Sequence, residues 1–235
     1  MDMHVTLHPS DLLYWFGWSI AAFIIVFPIW LGQRLSPHAR DRFEKIWGFL
    51  LVASYGVYAV EASQRGVFSV QESLLFHMCG WSRIFAVLYF WTKKQWIGEF
   101  VTFIGIAGGL QSLLTPELTH GIAPMSVADY YFNHSSIIAV GLYILFVQRQ
   151  RLKRGAWLRA FGRAQVLALI AVTINYFLGS NYMYLSEPPK ADNPLIITSE
   201  QLPYLYVLFF EVFVLVHFLI LQIALTRIPV REARR

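Results

Sequence analysis

Seven long apolar runs constrain this chain more than any other feature of it. They cover residues 12–32, 46–63, 74–91, 96–114, 127–147, 162–179 and 203–225, with polar connections between them. A helix needs about 20 predominantly apolar residues to cross the hydrocarbon core of a bilayer. The third run is the weakest, being short and holding His77, Cys79 and Arg83. No segment alternates apolar and polar residues over the roughly 10 positions of a membrane-barrel strand. Helices are then the spanning element, because lipid offers no partner to an unpaired backbone group. The predicted fold is all-α: one polytopic seven-helix bundle over residues 1–235, with no second domain, tandem repeat or low-complexity segment. Charge content agrees, at 14% against about 25% in soluble domains. Phe, Tyr and Trp reach 17%, as suits aromatic belts at two interfaces.

The connections orient the bundle. If the seven runs alternate direction, sixteen of the 19 Lys and Arg residues share one side. They are Arg34, Arg40, Arg42 and Lys45; Lys93 and Lys94; Arg149, Arg151, Lys153, Arg154, Arg159 and Arg163; and Arg227, Arg231, Arg234 and Arg235. Arg65 and Lys190 fall on the other side, and Arg83 lies within the third run. Lys and Arg stay cytoplasmic, so the N-terminus is expected outside and the C-terminus in the cytoplasm. A net charge of +5 raises nucleic acid as a partner, but short basic clusters between apolar runs read as topology, and no nucleic acid is expected. The first run lacks a basic leader and a small-residue cleavage site, so no cleavable signal peptide is expected. Connection 180–202, with its SEPPKADNP stretch, is suited to form a cap.

This topology gives each polar residue a depth, at 1.5 Å per helical residue. With the third helix starting at Leu74, Cys79 lies ~8 Å below the outer edge and Arg83 one turn deeper. His134 lies ~10 Å down the fifth helix and Glu211 ~12 Å down the seventh, while Gln111 and Asn175 fall within ~6 Å of outer ends. The inner half is poorer, with Glu99 near its edge and His217. An ionisable residue inside a membrane segment is a functional-site hypothesis by default. Each also has a structural role available. His134, Gln111 and Asn175 suit interhelical hydrogen bonding, Cys79 suits a small buried hydrophobe, and Arg83 with Glu211 suits an ion pair holding the bundle. Gly105, Gly108 and Gly109 suit close helix packing.

Taken together at one depth, these groups suit thiol chemistry. A cysteine attacks as its thiolate, which a neighbouring imidazole or cation favours. Cys79 and Arg83 are spaced i, i+4 and share a helix face. His134 is placed to be the general base, and Arg83 to polarise an ester carbonyl or hold a lipid phosphate. The single cysteine, Cys79, excludes an internal disulfide and any Cys-based zinc site; no cofactor or metal is expected.

The segments HMCGW (77–81), WIGEF with GGLQSLLTPE (96–117), YYFNHS (130–135) and GSNYMYLSEPP (179–189) carry a resemblance. The chain resembles the YwaF-type integral membrane family of bacteria, and is similar to a eukaryotic transmembrane acyltransferase that moves polyunsaturated acyl chains onto ether phospholipids. The similarity covers about residues 70 to 210. It implies Cys79 as acyl acceptor and His134 as base, 55 residues apart. The polar residues His77, Arg83, Gln111, Asn175, Asn181 and Glu211 are the expected binding residues. It also implies membrane phospholipids, or an acyl chain between helices, as ligand. The short basic loops fit a bacterial inner membrane.

Two other readings stay open. His77 and His134, at comparable depth, would suit a b-type haem, which an absorption spectrum decides. A proton-coupled carrier would use the cluster of Glu211, His134 and Arg83. The last run contains no lysine for a retinal Schiff base.

Overall fold

A computed structural model describes residues 4–190, 197–199 and 201–227. Arg231, Arg234, Arg235 and residues 191–196 of the expected cap lie outside the described residues. Seven α-helices are present among the described residues: α1 (Leu12–Gly32), α2 (Pro37–Gln64), α3 (Met78–Thr92), α4 (Gln95–Leu114), α5 (Pro124–Phe146), α6 (Ala156–Leu178) and α7 (Leu205–Thr226). Five of them, α1, α2, α4, α6 and α7, are long and apolar enough to cross a membrane. A two-residue ladder, β1 (Val5–Thr6) with β2 (Glu117–Leu118), is antiparallel with Val5 opposite Leu118. It ties the N-terminal segment to the α4–α5 connection and is the one departure from an all-helical chain among the described residues.

Local chemistry sets the boundaries. Ser36 caps α2 by accepting from the Ala39 N–H, and Pro37 fills the first helical position, where its missing N–H costs nothing. This makes α2 longer than the apolar run at 46–63, because its first turns are polar. Gly179 ends α6 in the left-handed conformation at φ 60°, which glycine adopts without strain. The third helix differs most from expectation. It begins at Met78, with extended His77 before it, so residues 74–77 form a connection and α3 is only 15 residues long. Cys79 therefore lies in the first turn of α3, not ~8 Å along a helix that starts at Leu74.

The α4–α5 pair is the buried centre. Gly105 and Gly109 bring the helices together: a Cβ at Gly105 would stand 2.5 Å from the Ile137 carbonyl oxygen, and one at Gly109 would stand 2.8 Å from that of His134. Around this pair, α1, α2, α6 and α7 turn large apolar side chains outward, among them Phe49 at 65%, Leu169 at 69% and Phe177 at 76% exposure. Apolar surface on this scale is stable against lipid and not against water. The chain is accordingly a multi-pass membrane protein.

The two ends of the bundle differ. One end gathers the basic connections around two buried carboxylates. Glu44 contacts Lys93 Nζ and accepts from Gln148 Nε2; Glu99 accepts from the Lys153 N–H and faces Arg159 at 3.4 Å. The other end carries the β1–β2 ladder and the connections that follow α2, α4 and α6.

Candidate functional site

At that second end the helices enclose a cavity of about 410 Å³, within the size range of small-molecule sites. Its lining includes Cys79, His77, Arg83, Gln111, His134 and Glu211, six of the eight residues singled out from the sequence. Asn175 and Asn181 are not in the lining. Instead they shape the connection that follows α6.

Asn175 is buried; its amide donates to the Tyr182 carbonyl, and its Oδ1 accepts from the Tyr182 N–H and the Ser180 hydroxyl. Asn181 Oδ1 accepts from the N–H groups of Ser186 and Glu187. Tyr182 is fully buried and its hydroxyl donates to the Val70 carbonyl, locking this connection to the one before α3. Met183 and Tyr184 both take positive φ, at 59° and 55°, a strained choice for side-chain-bearing residues that persists only where the surroundings hold it. The strained turn delivers the Met183 N–H to His77 and the Tyr184 ring to the cavity wall. Burial, and then the neighbouring Glu117 carboxylate, push the Tyr184 phenol far above its ordinary range, so its hydroxyl stays protonated and donates to Glu117 at 3.4 Å.

Two histidines have their tautomers fixed by backbone groups. His134 Nδ1 lies 2.7 Å from the Tyr130 carbonyl. A carbonyl only accepts, so in the neutral ring Nδ1 carries the hydrogen and Nε2 keeps its lone pair. His77 is the reverse: Nδ1 accepts from the Met183 N–H at 3.2 Å, leaving Nε2–H as a donor. One imidazole is thus prepared to take a proton and the other to give a hydrogen bond. His134 and Cys79 both line this cavity.

Cys79 Sγ lies 3.5 Å from Ser112 Oγ, and a Cβ at Gly108 would come within 3.9 Å of the sulfur. Glycine here leaves room beside the thiol. Cys79 also occupies the first turn of α3, where backbone N–H groups have no intrahelical acceptor and the helix dipole favours negative charge.

Arg83 does not pair with Glu211. Its Nη2 donates to both carboxylate oxygens of Asp129, at 2.9 and 2.8 Å, and its Nε to Asn133 Oδ1 at 2.8 Å. Asp129 lies on α5, one turn from Asn133, and no depth argument selected it. Its signal was present as the i, i+4 pair in DYYFN. Arg83 Nη1 is buried with no hydrogen-bond partner among the described residues. Glu211 bonds instead to Gln165 Nε2 across α6 and α7 at 2.6 Å, and α7 packs against α6 and α4. His217, assigned by depth to the inner half, also lines the cavity. Among the described residues, no group of three His, Cys, Asp or Glu side chains is placed to hold a metal ion.

Fold and cavity together define a polytopic α-helical membrane protein with a thiol, two oriented imidazoles and a paired guanidinium facing one internal space. The chain belongs to the TMEM164 family, whose model matches residues 6–222. No curated protein and no solved structure was found to match it.

Proposed function

We propose that this protein is a lipid acyltransferase that carries the acyl group on Cys79 and uses His134 as its base. The observation that supports this most is the tautomer of His134: its Nδ1–H is spent on the Tyr130 carbonyl, which leaves the Nε2 lone pair as the base in a cavity that Cys79 also lines. The resemblance to YwaF-type proteins and to the ether-phospholipid acyltransferase agrees with this reading.

The steps follow from the placement. His134 Nε2 takes the Cys79 proton, and the thiolate attacks the ester carbonyl of a donor lipid. The carbonyl π electrons move to oxygen, and the His77 Nε2–H and the first-turn N–H groups of α3 are the available donors to that oxyanion. Collapse breaks the ester C–O bond and expels the lysolipid alkoxide, which takes the proton back from His134. The hydroxyl of an acceptor lipid then gives its proton to His134 and attacks the thioester carbonyl; collapse breaks the C–S bond, and the Cys79 thiolate takes the proton back from His134. Arg83 Nη1 offers its N–H groups to lipid phosphate or carbonyl oxygen.

Protein reconstituted with a phospholipid bearing an alkyne-tagged acyl chain is expected to acquire the tag on Cys79 as a hydroxylamine-labile thioester, and Cys79→Ser to acquire none. No label on the wild type, together with identical lipid profiles in cells producing either form, would sink the proposal.

The same reading places all seven helices across the membrane, N-terminus outside, in a bacterial inner membrane. The connections rich in Lys and Arg at one end support that orientation. α3 at 15 residues spans only about 22 Å, and the connection before it completes the crossing. Cysteines introduced by Ser10→Cys and Lys94→Cys, each in a Cys79→Ser background, test this on intact cells. A membrane-impermeant maleimide should label the first and not the second; the opposite pattern inverts the topology.

A further inference from the structure

From the level of Cys79 the cavity continues between α4, α6 and α7. On α7 its wall carries an apolar stripe of Val207, Phe210, Val214 and Phe218, at helical spacings of three and four, flanked by Glu211, Phe213 and His217. On α6 the facing wall is Ala164 and Ala168, small residues one turn apart that leave room where larger ones would fill it. Glu211 and Gln165, hydrogen-bonded at 2.6 Å, tie the two walls together and hold their separation. The last α7 residue in the lining is Phe218, which is 1% exposed and whose ring lies 5.4 Å from that of fully buried Phe103. From Val207 to Phe218 the stripe runs about 16 Å, roughly half of the ~30 Å hydrocarbon core. That is the depth of one leaflet, hence the length over which one lipid chain extends.

We infer that this arm holds one acyl chain with its carbonyl end at Cys79, that Phe218 against Phe103 sets the longest chain accepted, and that Ala164 and Ala168 set its width. This rests on the acyl-transfer reading for its chemistry, but its test does not require turnover.

Cys79 is the only cysteine in the chain, so its alkylation can be read from intact mass. A thiol adds across the double bond of a maleimide, its proton ending on the adjacent ring carbon. N-ethylmaleimide needs only the thiol; N-dodecylmaleimide needs the arm as well. In vesicle-reconstituted protein, Ala168→Phe should lower the dodecyl-to-ethyl rate ratio at least about tenfold, the effect of displacing two methylenes from an apolar wall, while the ethyl rate stays within twofold of wild type. Val214→Phe, from the opposite wall, should do the same and serves if Ala168→Phe does not fold. Phe218→Ala should shift preference toward a hexadecyl reagent. Unchanged ratios in the two narrowing variants, with the ethyl rate retained, overturn the arm. Changed ratios without any acyl thioester on Cys79 would keep the arm and remove the acyl-transfer reading; a thioester with unchanged ratios would do the reverse.

Discussion

His134→Gln is expected to slow acylation of Cys79 by about 10²- to 10⁴-fold, the usual contribution of a positioned general base. Glutamine can keep a hydrogen bond in the position of the ring but cannot accept and return a proton. The Tyr130 carbonyl now spends the Nδ1–H of His134, so the loss falls on Nε2, the atom assigned to the thiol proton. The check is the initial rate of tagged-acyl incorporation, with N-ethylmaleimide labelling confirming that Cys79 is still accessible. Raising the pH should narrow the gap, since hydroxide then supplies the thiolate that is the attacking species. A rate within threefold of wild type would remove His134 from the mechanism and leave its backbone hydrogen bond as its role.

Loss of Asp129 should cost the fold about 3–5 kcal/mol, the range for breaking one side of a buried ion pair. Arg83 is 2% exposed, and Asp129 accepts through both oxygens from its Nη2. Asp129→Leu leaves that guanidinium charged in a low-dielectric interior with only Asn133 as a partner. Replacing both partners, as Arg83→Met with Asp129→Leu, removes the stranded charge and should recover most of the stability. Unfolding of the detergent-solubilised variants measures this as a double-mutant cycle. If Asp129→Leu costs less than about 1 kcal/mol, or the double variant is no more stable than the single, the pair does not carry the stability assigned to it. The double variant should still fail in acyl transfer, because the guanidinium is then gone.

The chemistry of single residues and of contiguous stretches was legible in the sequence. Hydropathy located seven helices, because the bilayer imposes a minimum length and apolar content on each crossing, and five of those helices meet both conditions. The apolar run 12–32 coincides with α1, Leu12–Gly32. Cys79, His77, Arg83, Gln111, His134 and Glu211 could be singled out because polar groups stand out against an apolar background, and all six line one cavity.

Only the tertiary structure decided which partners those residues meet. Hydropathy cannot distinguish a helical turn from an extended segment of the same apolarity, so α3 was given four residues that belong to the connection before it. Depth along a helix is one coordinate; azimuth and helix order supply the others. Arg83 and Glu211 share a depth, yet Asp129 is the partner of Arg83 and Gln165 that of Glu211. Asn175 and Asn181 share the sequence neighbourhood of the site, yet their amides are spent folding the strained turn that reaches His77. The seven apolar runs thus determined that the protein is a membrane bundle and which groups are costly to bury there. Packing, chiefly the close α4–α5 approach at Gly105 and Gly109, determined where each group points and hence which of them can act together.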